Sequence, residues 1–135
     1  GLFHDIGRFY VLMRAEYYPE LFGNRTVLLE LMERWHTGIG RAILDAWGIS
    51  EEMGVVADEH ETLDRDHFGP PDLTDVVLVA NLHAHVMEGR TDEDPKAWQE
   101  IGAFRRLKLD ADTSVLVMRE SADDIQSLTT ALSGG

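Results

Sequence analysis

The sequence predicts an all-α fold, a helical bundle of about seven helices. Three observations carry this. Apolar residues recur at helical spacing in one segment after another, with helix start and stop signals between them. The single β-rich run, Val76-Val77-Leu78-Val79, has no second run to pair with, and an isolated strand would leave its backbone groups unsatisfied. No internal repeat, low-complexity tract or flexible linker interrupts the chain, so residues 1–135 read as a single domain.

Leu2, Ile6, Phe9 and Met13 define a first helix, running to about Tyr18 and ended by Pro19. After a turn at Gly23-Asn24, Asn24 or Thr26 caps a helix bearing Val27, Leu28, Leu31 and Trp35. Thr37-Gly38 loosens the chain before or within the next pattern, Ile39, Ile43, Ala46 and Trp47, which Gly48 closes. Ser50 is a good N-cap, Glu51 and Glu52 suit the positive end of the helix dipole, and Met53, Val56, Ala57 and His60 share one face. The stretch from Glu61 to Pro71 is the clearest loop. Asp72 caps a central helix in which Leu73, Val76, Val77, Ala80, Leu82, Ala84, Val86 and Met87 cover more than one stripe, ended by Gly89. Asp94-Pro95 starts a helix with Trp98, Ile101 and Phe104. Asp110 or Asp112 starts the last one, with Val115, Leu116, Met118, Ile125, Leu128 and Leu132 at helical spacing.

Composition narrows the function classes. With 12 Lys and Arg against 25 Asp and Glu, the formal charge is −13, and no basic stripe offsets it. That disfavours nucleic acid and anionic membrane surfaces as partners. At 44% hydrophobic the chain is too apolar for an acidic disordered segment. The absence of cysteine excludes disulfides, zinc ribbons and thiol nucleophiles and agrees with a cytoplasmic location. No run approaches the ~20 apolar residues of a membrane span, and no signal peptide opens the chain. The start at Gly1, without an initiator Met or a cap, reads as a cut from a longer protein, which would make exposed apolar surface on the first helices a cut edge.

The histidines are the main chemical signal. His60 shares a face with Met53, Val56 and Ala57, and His36 lies on the face of Ile39 and Ile43. His4 and Asp5 are adjacent, about 100° apart round a helix, so one can point inward while the other orients it or joins it as a ligand. Three inward histidines with a carboxylate suit Zn, Mn or Fe, and a metal so held could activate water on a phosphate ester. The competing reading is that each is a satisfied core residue. His67 reads as a solvated loop residue and His83 as packing on the Val76, Ala80 and Met87 face. Arg8 reads as a surface cation or as a guanidinium offered to a phosphate. No nucleophile elbow, phosphate-binding loop or dinucleotide fingerprint is present.

Gly1-Leu2-Phe3-His4-Asp5-Ile6-Gly7-Arg8 resembles the start of the conserved core of the HD superfamily. The remainder of the chain resembles its HDOD branch, the HD-related output domain of bacterial signalling proteins. The supporting residues are His36 with Gly40, Leu44 to Trp47-Gly48-Ile49-Ser50-Glu51-Glu52, His60-Glu61, and the Asp72 to Ala84 helix with Val79-Ala80-Asn81-Leu82. The resemblance spans the whole chain and implies an HD-like all-helical fold of which this chain holds the C-terminal part.

The resemblance also implies where a metal would sit. Active HD phosphohydrolases use a histidine upstream of the His-Asp pair, which here would precede Gly1, the pair itself, and a later aspartate that matches Asn81. An uncharged amide is a much poorer cation ligand. The HD-GYP phosphodiesterases carry His-His-Glu where this chain has Glu59-His60-Glu61, and Phe68-Gly69-Pro70 stands where a Gly-Tyr-Pro signature would be. Such a site is eroded. The expectation is a non-catalytic regulatory module acting through contacts with other signalling domains or proteins, or with a second copy of itself, and needing no cofactor. The alternative is a phosphohydrolase dependent on a divalent metal (Zn, Mn, Fe or Mg), with His4, Asp5, His36 and His60 as ligands and His85 as a replacement for Asn81. A third class is a module that binds a nucleotide or other anion without hydrolysing it.

Overall fold

The computed structural model describes residues 2–134. Among them are seven α-helices, two short 3-10 segments and no strand, the all-α architecture expected from periodicity. No helix is long and apolar enough to cross a membrane. By its contacts the chain divides into two compact units, Gly1–Thr62 and Leu63–Gly135, where the sequence pattern suggests one domain. Each is described by itself.

In the first unit a 3-10 turn, Leu2–Asp5, leads into α1 (Ile6–Ala15). α1 stops at Ala15, short of the expected end at Tyr18, and Pro19 instead opens a short α2 (Pro19–Phe22) at a position where its missing N–H costs nothing. Asn24 accepts a hydrogen bond from the Val27 N–H and so starts α3 (Arg25–Ala46). Of the two placements open to Thr37-Gly38, before or within the next helical pattern, the structure takes the second, and α3 runs unbroken for 22 residues. A mid-helix glycine costs only about 1 kcal/mol relative to alanine, which packing along the helix outweighs. One rod therefore carries Glu33 and His36 in fixed register. Gly48, at φ +68°, takes the left-handed turn that closes it.

Ser50 stands at the N-cap of α4 (Glu51–Glu59) in extended conformation, without a side-chain capping bond. Arg41 reaches from α3 to Glu51, at 2.7 Å, and to Asp45. The decisive close approach is at Gly7. A Cβ there would lie 1.9 Å from the His36 carbonyl oxygen and 2.9 Å from Gly40 N, so only glycine lets α1 lie this near α3. Ala15, Leu28 and Met32 form a small core beside it, with Val11 and Leu21 packed on. Leu44, Val56, Ala57, His36 and His60 are also buried in this unit. An open apolar groove of about 710 Å³ is lined by Leu2, Phe9, Met13, Ile43 and Trp47 among others.

In the second unit Asp72 and Asp75 form a reciprocal capping box at the head of α5 (Leu73–Met87). Val76 to Val79 lie within this helix, as the missing strand partner requires. The face assignment needs correction: Leu78, Val79, Leu82 and His83 are buried, whereas Val76 and Met87 are exposed. The helix is apolar on most sides, so periodicity alone does not choose its inner face. The helix expected after Asp94-Pro95 is split into a 3-10 segment, Pro95–Glu100, and α6 (Gly102–Arg106), with Ile101 extended between them. Trp98 and Phe104, their rings 5.2 Å apart, both reach the core with Leu78, Val79, Leu82 and Ala103. Asp110 caps α7 (Ala111–Ser133) through the Thr113 N–H. Ser114 and Met118, not the exposed Val115 and Leu116, face that core.

Candidate metal centre

Four side chains of the first unit converge. Asp5 comes from the turn before α1, His36 from the middle of α3, His60 from the end of α4 and Glu61 from the next residue. One ligand atom from each can be chosen so that all lie within 4.8 Å of one another. Of the four ligands expected from the sequence, Asp5, His36 and His60 belong to this group. His4 sits at its edge, its ring edge-on to His60 at 4.8 Å between centroids and its Nε2 3.4 Å from Asp5 Oδ2. Glu61 is the member not expected as a ligand, although the His60-Glu61 pair stands out in the sequence. Asn81 and His85 both lie on α5 of the second unit, half-buried.

The imidazoles are oriented by their own helices. His36 Nδ1 is 2.8 Å from the Met32 carbonyl oxygen, and His60 Nδ1 is 3.1 Å from that of Ala57. A carbonyl can only accept, so both Nδ1 atoms carry the proton and both Nε2 atoms face the carboxylates. His36 Nε2 is 3.3 Å from Glu61 Oε2, and His60 Nε2 is 3.3 Å from Asp5 Oδ1. His60 Nε2 is buried and makes no hydrogen bond. A buried imidazole nitrogen turned toward carboxylates, with its other nitrogen anchored on backbone, is the presentation metal-ligating histidines use. Two imidazoles with two carboxylates suit Zn, Mn or Fe better than Mg, which prefers oxygen donors and retained waters. The donor set fits a divalent cation, and a cation held by Asp5, His36, His60 and Glu61 would supply a Lewis acid for a phosphoryl oxygen.

A positive charge already stands in this cluster. Arg8, one helical turn from Asp5, is mostly buried and donates from Nε to Asp5 Oδ1 at 3.2 Å and from its NH2 group to Glu61 Oε1 at 3.1 Å. The same NH2 group is 3.4 Å from His36 Nε2. Its guanidinium also forks onto Glu33, at 2.6 and 3.3 Å. Arg8 is therefore neither of the things expected of it, a surface cation or a group held out to phosphate; it closes a network of three carboxylates.

The titrations follow from this arrangement. Burial alone would raise the Asp5 carboxyl, but His60 and the charges of His4 and Arg8 hold it well below the usual carboxylate range. Burial likewise opposes ionisation of Glu61, yet His36 and Arg8 bring it down to about 2. Burial disfavours the charged form of His36, and Glu61 outweighs it, so that its pKa is raised. Arg8 lowers Glu33.

A second cluster lies in the second unit, around the fully buried Asp75. His67, Asp72 and Asp75 are close enough to hold an ion. Arginines fill their oxygens instead. Arg106 donates twice to Asp75, at 2.7 and 2.9 Å, and Arg65 bonds both Asp75 and Asp72. His67, expected as a solvated loop residue, places Nε2 2.9 Å from Asp75 Oδ2 and ties the loop to α5. Its pKa is raised, by Asp75 first and by the Phe68 carbonyl next. No protein-family model matches the chain, and neither curated proteins nor solved structures show a significant similarity to it.

Proposed function

We propose that this chain is a regulatory HD-type module, resembling the HDOD branch, that acts through contacts with other signalling proteins and does not turn over a substrate. The observation that carries this reading is Arg8: its guanidinium bonds Asp5, Glu33 and Glu61 at once and supplies within the fold the positive charge that a catalytic cation would bring. Asn81, in place of a charged ligand, and the −13 charge, which repels polyanionic substrates, support it further. The test is turnover by the intact chain of phosphodiester and nucleotide substrates with Mn, Fe, Zn or Mg added. No hydrolysis above the blank is expected. Sustained hydrolysis that disappears in Asp5→Asn overturns the reading.

One observation favours a second reading, a metal-dependent phosphohydrolase: the two Nε2 atoms and two carboxylates form a donor set of the right kind. On that reading His60→Ala abolishes both metal uptake and hydrolysis in the same preparation.

A further inference from the structure

We propose that Arg8 is a tethered cation that exchanges with a divalent metal ion at the Asp5, His36, His60 and Glu61 cluster, so that metal occupancy moves its guanidinium onto Glu33 alone. The inference rests on the reading of the site as regulatory and gives it a signal: occupancy by a cation such as Zn²⁺.

The contacts Arg8 already makes motivate the exchange, above all at His36 Nε2, which has a single lone pair. The NH2 group of Arg8 lies 3.1 Å from Glu61 Oε1 and 3.4 Å from His36 Nε2, and its Nε donates to Asp5 Oδ1. Three of the four residues that would ligate a metal thus already face a proton of this one side chain. The Nε2 electrons of His36 meet either an Arg8 proton or the imidazole's own, and a metal must displace whichever is there. His60 Nε2 is the exception: it faces Asp5 Oδ1 at 3.3 Å, not Arg8, and so offers a first foothold.

Charge balance supplies the resting place. Arg8 already forks onto Glu33, whose side chain is 53% exposed and lies at the outer side of the network. A divalent cation balances Asp5 and Glu61; Arg8 withdrawn to Glu33 balances the third carboxylate. Both groups are neutral after the exchange, whereas a metal added without it would stand beside a guanidinium in a poorly solvated site. Because Arg8 on α1 keeps Glu33 on α3 and releases Glu61, which follows α4, the exchange changes what joins α1 to the end of α4.

The experiment is calorimetric titration of Zn²⁺ into the intact chain and two variants, with folding checked by circular dichroism. Arg8→Gln removes the competitor and tightens Zn²⁺ binding, by about ten-fold to a hundred-fold on the scale of groups that support a metal site. Glu33→Gln removes the resting partner and weakens it. A purely structural Arg8–Glu33 pair would move both variants the same way. Should Arg8→Gln fail to fold, the wild-type chain decides: the Arg8 Nε–H resonance, assigned by its loss in Arg8→Lys, shifts and saturates at one Zn²⁺ per chain. Unchanged or weakened affinity in folded Arg8→Gln, an Arg8 resonance indifferent to Zn²⁺, or no Zn²⁺ uptake by any of the three proteins overturns the exchange. Hydrolysis by the wild type would overturn the regulatory reading and leave the exchange standing, so the two fail separately.

Discussion

The two ionic clusters use the same residue types in opposite proportions. Around Asp75 two arginines and a histidine converge on a buried carboxylate and its neighbour Asp72, and each of these side chains meets a carboxylate oxygen. Around Asp5 one arginine is spread over three carboxylates, and the imidazole nitrogens between them face oxygen. The first arrangement is saturated with cations and works as a rivet; the second is short of positive charge, with donors that could hold a cation. Ligand-like residues close together do not make a metal site unless some of their lone pairs remain to be filled.

Removing the carboxylate at each centre should separate the two most strongly. Asp75→Asn strands Arg65, Arg106 and His67 around a buried amide, and loss of one partner from such a network costs about 3–5 kcal/mol; urea unfolding followed at Trp98 reads it. A cost below about 1 kcal/mol would mean that the rivet is a surface network of the weak kind.

Gly7→Ala tests whether the first cluster depends on helix contact as much as on charge. The added methyl collides with the His36 carbonyl, so α1 must move off α3, a strain of about 1–3 kcal/mol. Zn²⁺ binding should fall with it. Wild-type affinity in this variant would show that the donors assemble without the close approach.

Asp5→Asn should cost less stability than Asp75→Asn, because the Asp5 side chain is 31% exposed and its contacts are partly screened by water, whereas Asp75 is fully buried. Its melting temperature should stay within a few degrees of wild type while metal uptake is lost. A loss as large as that of Asp75→Asn would erase the contrast between the clusters.

The smallest effects are pH slopes of opposite sign, read by amide exchange in α3 and α5. His36 is raised by Glu61 against its burial, so its contribution is fully present below pH 6.5 and is lost as pH rises through the folded-state value. His83, against Trp98 and Phe104, is lowered by burial, so it has no effect on stability well above pH 6.5 and costs the second unit stability as pH falls through that value. His67, which is raised, adds a slope of the His36 kind to that unit. His83→Leu should flatten the acid-side loss in α5; an unchanged slope would assign it to another group.

Much of this was legible in the chain itself. Caps at Asn24, Asp72 and Asp110 and the left-handed turn at Gly48 are local features, governed by hydrogen bonds and periodicities that a few neighbouring residues decide. The all-α class follows from the same local physics. The continuity of α3 through Gly38, the split after Trp98 and the inner face of α5 were not legible, because in each case packing outweighed a propensity of about 1 kcal/mol or less per residue.

The charge logic lay furthest from the sequence. Arg8 stands 25 residues from Glu33 and 53 from Glu61, and Arg106 stands 31 from Asp75. Coulomb interaction depends on distance in space and on the water removed between charges, neither of which the order of residues records. The sequence by itself determined the all-α class and the helical faces on which His36 and His60 lie. Only the tertiary structure decided which carboxylates meet them, that one arginine already stands among them, and that the other acidic cluster is closed.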